Sequence, residues 1–229
     1  MENKNQAAQP QEAHDEKALT SKKTIKGVAY ACAALVVVCA IAIGWYTIDR
    51  KNAEKADDAI GQADIEYLSP ALFGSVGNDS IALEKYMAAA EAGHKSGDRA
   101  ALQSAIMLYQ KKDYEKAIEY LDKASSSSSI IEAGRYTLMG DCYANLGQLD
   151  KAKDAFRKAY SAADKNPQIA PFILVKEANI YRELKDYKAE YNAYETVIYQ
   201  YPAYYNQLVK SRIDLRKYAE RAKASMENK

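Results

Sequence analysis

Cysteine, proline and glycine are scarce in this 229-residue chain, numbering three, five and ten. Cys32 and Cys39 lie in an apolar run and Cys142 stands apart from them, so neither a disulfide framework nor a zinc site can be drawn. No excess of one charge exists either, because 32 basic and 31 acidic residues leave a net charge of +1. A nucleic-acid partner, which requires a basic surface, is therefore not expected.

Groups that carry catalysis are equally few. The chain has two histidines, of which His14 lies near the N-terminus and His94 follows Gly93, both distant in sequence from Cys142. No G-x-x-x-x-G-K or G-x-G-x-x-G phosphate loop occurs. We therefore expect no enzymatic activity, no cofactor, no bound metal and no small-molecule substrate. The many Ala, Lys, Glu and Leu residues, with few helix breakers, favour an all-α fold.

Residues 27–48, GVAYACAALVVVCAIAIGWYTI, contain no charge. As a helix these 22 residues measure about 33 Å, enough to cross a hydrocarbon core of about 30 Å. Tyr30 near one end and Trp45 near the other suit the aromatic belts at membrane interfaces. The segment predicts a single transmembrane helix, preceded by a disordered polar tail over residues 1–26.

The orientation of this span depends on its flanking charges. Lys22, Lys23 and Lys26 directly precede it and favour a cytoplasmic N-terminus, although three basic residues also follow the span. Long downstream domains cross a membrane largely regardless of their charge. A cleaved signal peptide is the alternative, with Ala40–Ala42 resembling a cleavage site, but the leader is long and apolar residues continue beyond that site.

A repeat occupies residues 98–202, where three helix-turn-helix segments begin near Asp98, Ala133 and Pro171, at offsets of 35 and 38 residues. Small residues recur at positions eight, twenty and twenty-seven, as Ala105, Gly140, Ala178, Ala117, Ala152, Ala124 and Ala159. Large residues recur at positions eleven and twenty-four, as Leu108, Tyr143, Tyr181, Leu121, Phe156 and Tyr194. Small residues let paired helices approach closely and large ones fill the space beside them, so the spacing predicts packed helix pairs.

This pattern resembles the tetratricopeptide repeat (TPR) family, most closely in the middle unit, GRYTLMGDCYANLGQLDKAKDAFRKAY. The third unit has Pro202 at position thirty-two but Glu177 at position seven and Glu190 at position twenty, so its helix register could be shifted by one residue. The first unit lacks the closing proline and has the serines Ser125–Ser129 in its exit loop. The resemblance implies an all-α TPR helix-turn-helix solenoid, preceded here by the transmembrane helix.

The segments that flank the repeats are also predicted to be helical. Residues 49–97 are expected to form a stalk or a degenerate first repeat, with apolar residues at helical spacing. Residues 203–229 are expected to form a C-terminal capping helix and tail, because a solenoid needs a polar outer face at its end.

In TPR domains, the first helices of successive units line a groove that binds peptides. The nine candidate binding residues carried over from that register are Arg99, Ile106, Tyr109, Gln110, Asp141, Asn145, Val175, Asn179 and Arg182, with Leu102, Thr137, Ala144, Phe172 and Glu183 at the remaining groove positions. They mix apolar, amide and charged groups, which suits a peptide held partly through its backbone. Tyr109 and the late tyrosines Tyr199, Tyr201, Tyr204 and Tyr205 could pack in the core or contact a partner.

The order of tail, single span and TPR domain resembles the ancillary SecYEG translocon subunit family of Gram-negative envelopes. That resemblance implies an inner-membrane, single-pass protein with a cytoplasmic N-terminus and a periplasmic TPR domain. It also implies protein partners such as translocon subunits, envelope chaperones or client chains, and a role in protein export or periplasmic protein handling. The alternative is a fixed scaffold subunit of an envelope secretion or assembly complex.

Overall fold

The structure is a computed structural model that describes residues 11–73, 79–92 and 94–227, with side chains described for 26–68, 79–92 and 96–227. Two compact units divide the chain, Met1–Lys51 and Asn52–Lys229. The described residues contain no β-strand and form helices α1 Gln11–Phe73, α2 Asp79–Glu91, α3 His94–Gln110, α4 Tyr114–Lys123, α5 Ser129–Asn145, α6 Leu149–Ala162, α7 Ala170–Glu183, α8 Tyr187–Gln200, α9 Pro202–Lys210 and α10 Leu215–Glu227.

The first unit consists, where described, of the N-terminal part of α1. Residues 11–26, predicted to be part of a disordered tail, are helical, while residues 1–10 lie outside the described residues. After Pro10 the sequence has no proline or glycine before Gly27, so nothing interrupts a helix once it has started. By length and composition, α1 contains a candidate membrane span within Lys26–Leu68. The most apolar stretch of this span has a mean hydropathy of 2.4, and no part of that stretch is buried.

The second unit begins with the C-terminal part of α1. Ala56, Ile60 and Ala63 are buried there, at the three- and four-residue spacing of one helix face. Tyr86 of α2 is also buried, and its hydroxyl donates a hydrogen bond to a carboxylate oxygen of Asp64 in α1. Burial of this face favours a degenerate first repeat over an isolated stalk.

The three predicted repeats are the helix pairs α3–α4, α5–α6 and α7–α8, each joined by the same turn. Lys112, Gly147 and Lys185 have φ angles of 63°, 71° and 59°. In every turn, the amide that follows this left-handed residue donates a 2.9 Å hydrogen bond to a carbonyl five residues earlier, which satisfies the end of the first helix. Because the third turn is equivalent to the first two, the third repeat keeps the register of the others, without a shift.

Close approach between paired helices is clearest in the middle repeat. Gly140 of α5 faces Phe156 of α6, and a Cβ built at Gly140 would lie 2.7 to 2.8 Å from three atoms of the Phe156 ring. Phe156 is 1% exposed, so the ring has no free space into which it could move. The small and large residues at positions eight and twenty-four thus interlock as the repeat pattern predicts.

Glu190 of α8 is the departure from this pattern, because a carboxylate occupies a position where the other repeats have alanine. It is completely buried, and its Oε1 accepts a 2.7 Å hydrogen bond from Arg221 of α10. Its other oxygen, Oε2, has no hydrogen-bond partner among the described residues. A buried carboxylate is costly unless paired, so α10 supplies the charge that makes this residue tolerable.

The C-terminal region differs from the single capping helix that we predicted, because it consists of two helices, α9 and α10, and α10 packs against α8. Arg212 between them has a φ of 64°, and the amide of Ile213 donates a 2.9 Å hydrogen bond to the carbonyl of Leu208. This is the turn found inside each repeat. Arginine has no preference for the left-handed region, so the sequence contained no signal for the break.

Two hydrophobic clusters form the core of the second unit. The first extends from Ile60 in α1 through α4 to Met139 and Ala155, and the second from Ala133 through α8 to Ala219 in α10. Helices α5 and α6 contribute buried side chains to both clusters. The middle repeat therefore joins the two cores.

Candidate protein-binding groove

The nine candidate groove residues lie on α3, α5 and α7, the first helix of each repeat, and none of them is buried. The adjacent small residues Ala105, Gly140 and Ala178 are buried on the same helices. Each first helix thus packs one face into the solenoid and leaves the face that carries the candidate residues open. The face formed by the nine residues is called the groove below.

An ion pair links two of these helices across the groove. Lys176 Nζ of α7 lies 2.7 and 2.9 Å from the two carboxylate oxygens of Asp141 in α5, and 5.1 Å from the centre of the Phe172 ring. Both charged side chains are partly exposed, so the pair contributes little to stability. It joins α5 directly to α7.

Tyr109 of α3 extends this cluster to the first repeat. Its ring is tilted by 59° against that of Tyr114, with ring centres 5.6 Å apart. Burial, followed by the negative charge of Asp141, raises the pKa of Tyr109, so its hydroxyl remains protonated at neutral pH. Asn145 donates from Nδ2 to the carbonyl oxygen of Asp141 at 2.8 Å. Lys176 and Asp141 thus connect α7 to α5, and Tyr109 on α3 lies within the electrostatic influence of Asp141.

The other charged and amide groups of the groove have partners outside the pair formed by Lys176 and Asp141. Arg99 donates to Asp64 of α1 at 2.8 Å, and Arg182 lies 3.4 Å from Glu183. Asn179 accepts a 3.3 Å hydrogen bond from the Tyr194 hydroxyl of α8.

The remaining candidates carry no charge: Gln110 is exposed, and Ile106 and Val175 are half-buried. Since Asp141, Arg99 and Arg182 each have a partner of opposite charge, the groove is locally neutral.

Two residues that shape the groove were not predicted from the sequence. Lys176 stands at position six, which the repeat register does not assign to the groove, and Asp64 lies outside the predicted repeats. Their partners are 35 residues away in each case, too far for a helix-spacing rule to reveal. The only local signal is the four-residue step from Phe172 to Lys176, which places both on one helix face.

The late tyrosines separate into two groups. Tyr201 and Tyr205 are buried, and the Tyr205 hydroxyl donates to Asp214 at 2.8 Å, so both belong to the core. Burial, with a hydrogen bond to Tyr160, raises the pKa of Tyr201 to about 12. Tyr199 is 70% exposed and remains available for a partner, while Tyr204 is half-buried.

Reactive chemistry is not assembled in the described part of the chain. No group of three or more His, Cys, Asp or Glu side chains there could hold a metal ion. Cys142 is completely buried, and burial, with the nearby Asp141 carboxylate, raises its pKa to about 12. A thiol of that pKa is not a nucleophile at neutral pH.

Comparisons with known proteins agree with this architecture. Residues 82–182 match the model of the tetratricopeptide repeat-like domain. A stretch of 55 residues is 40% identical to the RNA polymerase-associated protein CTR9 of Caenorhabditis elegans, covering 24% of this chain and about 5% of that protein's length. The crystal structure of MamA protein superposes with a TM-score of 0.54 at 16% identity, covering 76% of this chain and 89% of that one, which shows a shared fold.

The four-fold use of one interhelical turn, the interlocked small and large residues and the matched domain all describe one architecture. Domains of this kind serve in protein–protein interaction. The described second unit is an all-helical, TPR-like solenoid, and residues 82–182 within it match the tetratricopeptide repeat-like domain.

Proposed function

We propose that this protein is a membrane-anchored adaptor whose groove binds peptide segments of other proteins. The observation that carries the proposal is the open face of α3, α5 and α7, where amide, aromatic and paired charged groups alternate without being buried. Enzymatic activity forms no part of the proposal, because the groove holds no activated nucleophile.

The apolar part of α1 supports anchoring. Val36, Ile41 and Trp45 are 65%, 66% and 78% exposed, and no residue from 26 to 51 is buried in the structure. At about 25 cal/mol for each Å² of apolar surface, leaving such a helix in water is unfavourable, whereas a lipid bilayer covers it.

The pairing of charges in the groove indicates the chemistry of the ligand. A strongly charged peptide would find no unpaired groove charge of opposite sign among Asp141, Arg99 and Arg182. A mostly neutral, extended segment can instead bind polar groups such as Gln110 through its backbone and pack on Phe172, which is 46% exposed. We therefore expect affinity to depend weakly on salt concentration.

Placement in an inner membrane, with the solenoid on the periplasmic side, completes the proposal. The lysines before the span favour a cytoplasmic N-terminus. Anchoring raises the local concentration of the groove near chains that emerge at the membrane, so even weak peptide binding is effective there. Translocon subunits, envelope chaperones and their client chains are the expected partners.

Site-specific photo-cross-linking in cells tests this proposal. A photoreactive amino acid is placed at Tyr109 or Asn145 of the groove, and at Asp154 on the exposed side of α6 as the matched control. We expect translocon subunits, chaperones or secreted chains to be trapped from the groove positions and not from Asp154. Equal trapping from all three positions, or none from the groove, would contradict the proposal.

The topology is tested independently with alkaline phosphatase fused to the C-terminus, because this enzyme is active only after export. We expect activity from the fusion. Loss of that activity with retained expression would place the solenoid in the cytoplasm and remove the export role.

A fixed scaffold subunit is the second candidate function. It is favoured by the exposed apolar side chains Tyr199, Val209 and Ile213, which lie away from the groove and could seat a permanent partner. Cross-linking from Tyr199 would then trap one membrane complex in stoichiometric amounts, instead of a range of clients.

A further inference from the structure

A pocket of about 260 Å³ lies between α3, the serine-rich loop that follows α4, and the start of α5. Its lining residues are Asp98, Arg99, Leu102, Ala124, Ser125, Ser126, Ile131, Glu132 and Arg135. Arg99 is one of the nine groove residues, and Leu102 stands at a further groove position of the repeat register, so the pocket adjoins the groove. It is smaller than the range of about 300 to 1,000 Å³ typical of small-molecule sites, which suits one side chain rather than a free ligand.

The serine loop is held in place by carboxylates on both sides. Ser125 donates to Asp98 Oδ1 through its amide at 2.9 Å and its hydroxyl at 3.1 Å. The amide of Ser126 donates to Glu132 Oε1 at 2.9 Å. The wall formed by this loop is thus preorganised and need not be ordered by a ligand.

The charged groups that line the pocket already have hydrogen-bond partners. Arg135 donates to both oxygens of Glu132, at 3.0 and 2.8 Å, and to the carbonyl of Leu121 at 2.8 Å. Arg99 is paired with Asp64, and Asp98 accepts from the serine loop. An acidic side chain that entered would find both arginines already paired with carboxylates, and Asp98 already accepts two hydrogen bonds from Ser125. An apolar side chain, in contrast, would gain from leaving water.

Apolar walls complete the site. Leu102 is half-buried on one side, and Ile131 is 45% exposed at the opposite edge, where a ligand would cover it. The neighbouring Ile130 is 55% exposed but does not line the pocket.

From this arrangement we infer that the pocket is the anchor site for one bulky apolar side chain of the peptide that the groove binds. The inference rests on the proposed function and specifies its ligand. The anchor residue fixes the register of the peptide, and the neutral groove then binds the rest of the peptide through its backbone.

The test uses the full-length chain in detergent micelles and a phage-displayed library of random dodecapeptides as the probe. Ile131→Ser removes one apolar wall, and Ile130→Ser is the matched control with equal chemistry and similar exposure outside the pocket. Both residues are partly exposed on one helix, so both variants are expected to fold, which far-UV circular dichroism checks. We expect selected peptides to share one bulky apolar residue.

We further expect Ile131→Ser to weaken these peptides about tenfold, since losing some 50 Å² of apolar contact corresponds to that factor. Ile130→Ser should leave the affinity within about twofold. Once the shared apolar residue of the peptide is replaced by alanine, Ile131→Ser should have no further effect.

The outcomes separate the two proposals. If the library yields peptides that bind but share no apolar residue, or that respond equally to both serine variants, the anchor pocket is overturned and the groove is not. If no peptide binds the wild-type chain, the proposed function fails and the anchor pocket fails with it.

Discussion

Replacing Gly140 with alanine tests whether close helix approach holds the middle repeat together. The added methyl group would lie 2.7 Å from the ring of Phe156, closer than any relaxed contact, and both elements are buried. Gly134, on the same helix, has open space around its Cβ position and provides the control. Both substitutions gain the same helix propensity, about 1 kcal/mol, so the difference between the two variants isolates the steric cost.

Overpacking a well-filled core costs about 1 to 3 kcal/mol. We therefore expect Gly140→Ala to have a free energy of unfolding about 1 to 3 kcal/mol lower than Gly134→Ala. Urea unfolding of the full-length chain in detergent, followed by circular dichroism at 222 nm, measures both values, provided that the m-values agree. Adding Phe156→Leu should restore part of the loss in Gly140→Ala, because a smaller side chain relieves the contact.

Equal stability of the two alanine variants would refute this reasoning. It would mean that α5 and α6 move apart at little cost, so the small residue at position eight would not be required for packing.

Three further predictions concern buried polar groups. Arg221→Ala should lower the free energy of unfolding by about 1 to 2 kcal/mol, because the Glu190 carboxylate loses its charged partner. The loss is limited because Arg221 is exposed, so water can take over part of its interaction with Glu190. Lys223→Ala, at an exposed position on the same helix, is the control. Burial raises the pKa of Glu177 above 4.5, so deprotonation of this side chain destabilises the folded chain as the pH rises from 4.5 through the folded pKa. Glu177→Gln should therefore have a higher free energy of unfolding than wild type in urea titrations at pH 7, and this difference should close toward pH 4. Cys142 should react with iodoacetamide at pH 8 only in urea, as peptide mass mapping would show, and rapid labelling of the folded chain would contradict its burial.

The helix pairs could be predicted from the sequence because close packing recurs at fixed intervals. Gly140 and Phe156 are separated by the same number of residues as Ala105 and Leu121, so the constraint repeats along the chain and becomes visible without coordinates. The first helices, and with them the open face of the groove, follow from the same register.

Features that depend on distant partners could not be predicted in this way. Lys176 finds Asp141 through the stacking of repeats, and no local pattern marks it. Glu190 is tolerated only because Arg221 reaches it from α10. The turn at Arg212 could not be predicted because arginine has no preference for the left-handed backbone that it adopts there.

The two hydrophobic clusters, which share the middle repeat, have a consequence for synthesis. The first cluster ends at Ala155 and the second at Ala219, so a growing chain contains every residue of the first core while much of the second is still unmade. Once α5 and α6 have packed against the first core, their opposite faces are already ordered, and α7 and α8 can pack against them. The solenoid can therefore assemble vectorially, each helix pair adding to an ordered end, with little apolar surface exposed at any one time.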